Sequence, residues 1–151
     1  MKHLKLPGLL LGALLLACTA LPARAQACAG GAAMSRAALT GVLHRGGFSG
    51  VLDDSASVRY VGCLRTPREE LGLYYYERVW GEARRMTARL IVVSNRARYL
   101  GMYSVPERPR SVRGSRIVFA VPRDYGNAIV LHHGKLPRRV LLDGEVREFF
   151  R

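Results

Sequence analysis

From residue 57 onward, apolar and polar residues alternate in short runs separated by Gly, Pro and Asn. Alternation with a period of two is typical of strands that have one buried face. Seven or eight such runs recur at a spacing of roughly ten residues, with no helical pattern between them. This pattern predicts an all-β domain, an antiparallel meander that forms a small barrel or a sandwich.

One short helix precedes the predicted strands. Its apolar positions have the i, i+3, i+4 spacing of a single helical face: Leu39, Val42 and Leu43. Ser35 can cap the first turn, and Gly46–Gly47 ends the pattern. We therefore expect a helix from Arg36 to about His44. The alternative fold is an α+β roll, in which this helix covers one face of a sheet.

Two dipeptides mark tight turns between strands. Asp143-Gly144 stands between two apolar runs, and Asp-Gly favours a type I′ turn because both central residues need positive φ. Asn95-Arg96 follows a β-rich run and precedes another. Each dipeptide predicts an antiparallel hairpin.

Strict alternation also assigns side chains to faces. The first predicted strand places Val58, Tyr60 and Leu64 on one face and Val61 and Cys63 on the other. The second places Tyr74, Tyr76 and Trp80 together and Tyr75 opposite. We expect these rings to fill the core; the alternative is an exposed aromatic row that stacks sugar rings or bases.

The first 25 residues have the pattern of a signal peptide. Lys2 and Lys5 precede an apolar stretch, and an A-x-A site predicts cleavage between Ala25 and Gln26. The stretch is shorter than the roughly 20 residues that a membrane-spanning helix needs. We expect periplasmic or secreted protein, with a flexible segment at 26–34 and a single β-rich domain at 35–151.

Cys18 offers an alternative route of processing. Leu15-Leu16-Ala17-Cys18 resembles a bacterial lipobox, in which the cysteine becomes the lipidated first residue. The product would be a lipoprotein tethered to the membrane. The good A-x-A site favours soluble release instead.

Removal of residues 1–25 leaves two cysteines, Cys28 and Cys63. An even count in an oxidising compartment predicts one disulfide between them. No Cys-x-x-Cys motif and no zinc-ligand spacing is present, so the sequence predicts neither a metal site nor a cofactor.

The sequence contains no assembled catalytic motif. A hydrolase would have to build its site from His44, Ser49 and Asp53 or Asp54, residues that only the fold could bring together. His132 and His133 are adjacent on a predicted strand, so they point to opposite faces, and we expect one to face the core. The sequence therefore favours a non-catalytic protein over an enzyme.

The chain has a large positive charge, and several of its arginines are clustered in one predicted loop. The chain carries 24 Lys plus Arg against 11 Asp plus Glu, a net charge of +13. Without residues 1–25, which hold three basic residues and no acid, the charge is 24 − 3 − 11 = +10. Four arginines fall within nine positions of a segment broken by Pro109 and Gly114: Arg108, Arg110, Arg113 and Arg116.

Such a cluster attracts anions. Because the chain is predicted to be exported, the expected partner is an anionic envelope component or an acidic protein, not nucleic acid. The sequence thus predicts a small, exported, non-catalytic binding or structural domain. It does not predict an oligomeric state.

Overall fold

A computed structural model describes residues 33–151. This part of the chain is mostly β, with nine strands in two antiparallel sheets and one short α-helix. The helix α1 spans Arg36–Arg45. The strands are β1 (Ala56–Arg65), β2 (Glu70–Trp80), β3 (Arg85–Ser94), β4 (Tyr99–Ser104), β5 (Ser111–Arg113), β6 (Arg116–Val118), β7 (Ala128–Val130), β8 (Arg139–Leu142) and β9 (Glu145–Phe150).

The large sheet has six strands in the order β1-β2-β3-β4-β9-β8. The first four strands form the predicted meander, and β9 then pairs with β4 through Met102–Phe150 and Tyr103–Phe149. β1 and β8 remain as separate edges, so the sheet is open and the barrel expectation gives way to the sandwich.

The small sheet, β5-β6-β7, packs on one face of the large sheet. Buried side chains of both sheets meet there in one core, which includes Leu73, Leu90, Tyr103, Ile117 and Ile129. At the β1 edge, a Cβ on Gly62 would stand 3.0 Å from Cβ of Val112 in β5, so the two strands are in direct contact.

The helix α1 covers the opposite face of the large sheet. Leu39, Val42 and Leu43 are buried against a second core that includes Ile91 and Met102. The predicted cap is confirmed, because the Ser35 hydroxyl accepts a hydrogen bond from the Ala38 amide at 3.3 Å. A helix over one sheet face is also what the α+β alternative describes, but strands dominate the fold.

One predicted face assignment is wrong. Val58 and Tyr60 pack on the helix side, whereas Leu64 is buried in the core between the sheets. The cause is a β-bulge between Tyr60 and Gly62, which adds one residue to β1 and reverses the alternation beyond it. Gly62 takes φ +140° at this point.

The tyrosines of β2 follow the prediction and the tryptophan does not. Tyr74 and Tyr76 are buried in the helix-side core, and Tyr75 is buried in the core between the sheets. Trp80 shares the face of Tyr76, but it lies at the end of β2, beyond the core, and is 43% exposed.

Both predicted hairpins are present. Asp143 and Gly144 connect β8 to β9 with φ of 52° and 74°, the positive values that a type I′ turn requires. Residues 95–98 connect β3 to β4, and Ala97 takes φ 53° there. The turn chemistry therefore identified strand connections correctly.

The β8–β9 hairpin is held from outside by a loop before β7. Residues Arg123–Tyr125 form a short 3-10 helix that ends at Gly126. The Asp143 amide donates to the Gly126 carbonyl at 3.0 Å, and the Gly144 amide donates to the Tyr125 carbonyl at 2.6 Å. These bonds join the loop to the turn at Asp143–Gly144.

Candidate anion-binding site

The segment predicted as a basic loop contains a strand. Residues 111–113 form β5 and pair with β6, so Arg108–Arg116, here called the arginine hairpin, lies on the small sheet. Val112 packs inward against the core, and Arg113 lies opposite Arg116 in the register. The sequence did not predict this strand, because Pro109 and the many charges are typical of a loop and three residues are too few to show alternation.

All four arginines of the hairpin are exposed. Within residues 33–151, no carboxylate lies at ion-pair distance from any of their guanidinium groups. The hairpin backbone is ordered by the register of β5 with β6 and by the Arg110 amide, which donates to the Val118 carbonyl at 2.7 Å. The hairpin therefore holds four solvated cations on a defined backbone.

The charge of the hairpin is least compensated toward its turn. Burial is the main cause that raises the pKa of Tyr75; Glu77 and Glu107 add to it, and Arg108 opposes it. Arg108 thus shares its surroundings with two acids. The Glu107 carboxylate also accepts a hydrogen bond from the Ala120 amide at 2.6 Å. Arg110, Arg113 and Arg116 are the stronger candidates for contact with an anion.

The hydrolase alternative names four residues that lie in α1 and in the loop after it. In residues 33–151, no hydrogen bond joins His44, Ser49, Asp53 and Asp54 to one another. His44 is exposed in the last turn of α1, and Ser49 is exposed in the loop that follows.

Asp53 has a structural task. Its carboxylate accepts hydrogen bonds from the amide of Ser55, at 2.9 Å, and from the Ser55 hydroxyl, and it pairs with Arg78 at 3.5 Å. The bond from the Ser55 hydroxyl is the main cause that lowers the pKa of Asp53. This is an Asx-type turn that leads into β1.

The histidine expectation is wrong. β7 ends at Val130, so His132 and His133 lie in a turn, and both are exposed. His133 takes φ 50°, and His132 pairs with Lys135 across the turn. Among residues 33–151, no group of three or more His, Cys, Asp or Glu side chains is placed to hold a metal ion.

The sequence did not predict a groove that the structure shows on the large sheet. We call it the strand-end groove. It lies on the helix-bearing face, past the end of α1, and has a volume of about 240 Å³. It is lined by Phe48, Ser49, Gly50, Val51, Tyr76, Arg78, Trp80, Thr87, Arg89, Met102 and Phe150. Alternation could have placed Arg78 beside Trp80, but only the fold brings in Arg89 and Phe150.

The predictions on the first 32 residues lie outside the described part of the chain. They comprise the signal peptide, the Ala25–Gln26 cleavage site, Cys18, and Cys28. Cys63 lies in β1, and its pairing with Cys28 stays a prediction. In the described part, no helix is both long and apolar enough to cross a membrane.

Comparison with known proteins adds no relative. No protein-family model matches the chain, and no significant match was found among curated proteins or solved structures. The class of protein is therefore defined by the fold alone, an open β-sandwich with one helix and an exposed cationic hairpin.

Proposed function

We propose that the chain is an exported, non-catalytic binding domain that contacts an anionic ligand through the arginine hairpin. One observation carries this proposal: four exposed guanidinium groups lie on one short hairpin, and no carboxylate of residues 33–151 is at ion-pair distance from them. A guanidinium fork matches carboxylate and phosphate groups in two parallel hydrogen bonds. An anionic envelope component or an acidic protein carries such groups.

Within residues 33–151, no hydrogen bond joins His44, Ser49 and Asp53 to one another, and this favours binding over catalysis. A nucleophile and its base must lie within hydrogen-bond reach of each other, and the base needs a third group to orient it. Asp53 instead binds Ser55 and Arg78. These contacts support a binding domain over a hydrolase.

The test of the hairpin replaces Arg108, Arg110, Arg113 and Arg116 with alanine. Each exposed ion contact contributes about 0.2–1 kcal/mol. We expect affinity for heparin, and for phosphatidylglycerol vesicles, to fall on the order of tenfold or more. Elution from a heparin column and vesicle sedimentation measure the change, and the sedimentation arm separates a lipid surface from a soluble polyanion.

The matched control removes the same charge elsewhere. Among the exposed arginines outside the hairpin that make no side-chain hydrogen bond or ion pair within residues 33–151, we choose four: Arg68, Arg96, Arg98 and Arg138. Their alanine variant should retain most of the affinity. If both quadruple variants elute alike, net charge alone explains the binding and the hairpin has no special role.

Export rests on the first 25 residues, and the mass of the mature protein tests it. We expect the purified extracytoplasmic protein to begin at Gln26 and to gain no mass from an alkylating reagent under denaturing, non-reducing conditions. The second result follows from the Cys28–Cys63 disulfide, because a disulfide leaves no thiolate to react. A product that begins with a lipidated Cys18 would mean that the protein is tethered to the membrane and not released. Alkylation of two thiols would contradict the predicted disulfide.

A further inference from the structure

The strand-end groove concentrates positive charge without a carboxylate of its own. Its lining includes Arg78 and Arg89 and contains neither Asp nor Glu. Asp53, outside the lining, pairs with Arg78 at 3.5 Å, and no acid of residues 33–151 lies at ion-pair distance from Arg89. One cation of the groove is therefore without a counter-ion.

The Arg89 guanidinium is fixed in place by other groups. Its Nη1 atom donates to the Ser104 hydroxyl at 2.7 Å and to the Ala88 carbonyl at 3.3 Å, and its Cζ atom lies 5.6 Å from the centre of the Phe150 ring. The donors on Nε and Nη2 make no hydrogen bond to the described chain. Burial is the main cause that lowers the pKa of Arg89, so an anion would relieve the cost of a half-buried charge.

Trp80 forms an exposed and oriented aromatic wall beside these arginines. Its indole N–H donates to the Thr87 hydroxyl at 3.1 Å, and the Arg85 guanidinium lies 5.7 Å from the ring centre. The residue is 43% exposed, although the hydrogen bond to Thr87 orients its ring. An exposed indole face offers an apolar surface to the C–H face of a sugar ring.

The size of the groove limits its ligand. Its 240 Å³ is below the roughly 300–1,000 Å³ of pockets for drug-sized molecules. A single ring with one charged substituent fits this description better than an extended chain. The exposed Ser49 hydroxyl on the loop wall can serve the hydroxyl groups of such a ring.

We propose that the strand-end groove binds an acidic hexose, with its anionic group on Arg89 and Arg78 and its ring against Trp80. This site is separate from the arginine hairpin, because the groove lies on the helix-bearing face and the hairpin lies on the small sheet. The shared chemistry is a hexose that bears a carboxylate or a phosphate.

Tryptophan fluorescence tests the proposal directly, because Trp80 is the only tryptophan in the sequence. The full chain is titrated with glucuronate, glucose 6-phosphate, glucose and inorganic phosphate. We expect a saturable change with one or both acidic sugars, and the stronger of the two identifies the anionic group. Glucose and inorganic phosphate should each bind at least about tenfold more weakly, since each lacks one of the two contacts.

Two variants assign the contacts. Arg89→Gln should weaken the acidic sugar about tenfold or more, while Arg98→Gln, an exposed arginine on the β3–β4 turn, should leave binding unchanged. If Arg89→Gln does not fold, Thr87→Val supplies the test, because it removes the hydrogen bond that orients the indole. It should weaken the sugar about two- to tenfold.

Three results would overturn this proposal: no saturable change with either acidic sugar, equal affinity for glucose, or equal affinity for inorganic phosphate. The quadruple alanine variant of the arginine hairpin should bind the acidic sugar as the original chain does. Failure of the hairpin test and failure of the groove test are thus distinguishable.

Discussion

Replacement of Gly126 by alanine is expected to destabilise the fold more than the same replacement at Gly47. Both glycines take φ 78°, but they differ in their surroundings. A Cβ on Gly126 would stand 2.2 Å from the carbonyl oxygen of Leu141, whereas a Cβ on Gly47 would meet nothing within 4 Å. The main chain of β8 must move to accept the first substitution and need not move for the second.

The expected magnitudes separate the two effects. Gly47→Ala should cost about 1–2 kcal/mol of unfolding free energy, the price of a left-handed backbone for a residue with a side chain. Gly126→Ala should lower the unfolding free energy by about 1–3 kcal/mol more than Gly47→Ala does, because its new methyl group also overpacks the contact with Leu141. Urea unfolding of both variants measures the difference. Equal losses would mean that the contact between Gly126 and Leu141 relaxes freely.

Replacement of Tyr103 by alanine is the second large effect. The side chain is fully buried in β4, its ring lies 4.9 Å from that of Phe149, and its hydroxyl donates to the Pro137 carbonyl. Removal of a buried aromatic ring costs about 3–5 kcal/mol. Tyr125→Ala is the control, because Tyr125 is 58% exposed and should change stability by about 0.5 kcal/mol or less.

Tyr103→Phe isolates the hydroxyl from the ring. It leaves the Pro137 carbonyl without that partner, so we expect a loss of about 1–3 kcal/mol. A loss as large as that of Tyr103→Ala would mean that the hydrogen bond, not packing, dominates at this position. Chemical denaturation at neutral pH compares the three proteins.

The same residue predicts a dependence on alkaline pH. Burial raises the pKa of Tyr103 strongly, and it is also the main cause that raises those of Tyr76 and Tyr99. The folded protein then holds protons that the unfolded chain releases near pH 10. The contribution of these tyrosines to the unfolding free energy is therefore fully present below that pH, and it is lost as the pH rises above it. Tyr103→Phe should flatten this fall; an unchanged slope would exclude Tyr103 as its source.

Local signals predicted the elements that depend on neighbouring residues. The helix cap at Ser35 and the turn at Asp143–Gly144 were readable because each is settled by the chemistry of a few adjacent positions. The alternation of β2 placed its three consecutive tyrosines correctly, since a two-residue period needs no knowledge of the partner strand.

Features that depend on distant residues were not readable. The bulge beside Gly62 reverses the faces of β1, and its signal is a single glycine. The strand-end groove gathers Trp80, Arg89 and Phe150 from three strands, and β9 reaches its place only by pairing with β4. Sequence spacing carries no information about such a juxtaposition.

The pairing of β4 with β9 has a consequence for folding kinetics. Tyr103 meets Phe149 across 149 − 103 = 46 positions, whereas β1, β2 and β3 each pair with the next strand along the chain. Distant pairings form slowly because a long loop must close first. Until β9 arrives, the outer backbone of β4 is an open template that a second nascent copy can occupy. We therefore expect chains to associate mainly before β9 has paired with β4. Refolding at lower protein concentration should then give a higher yield.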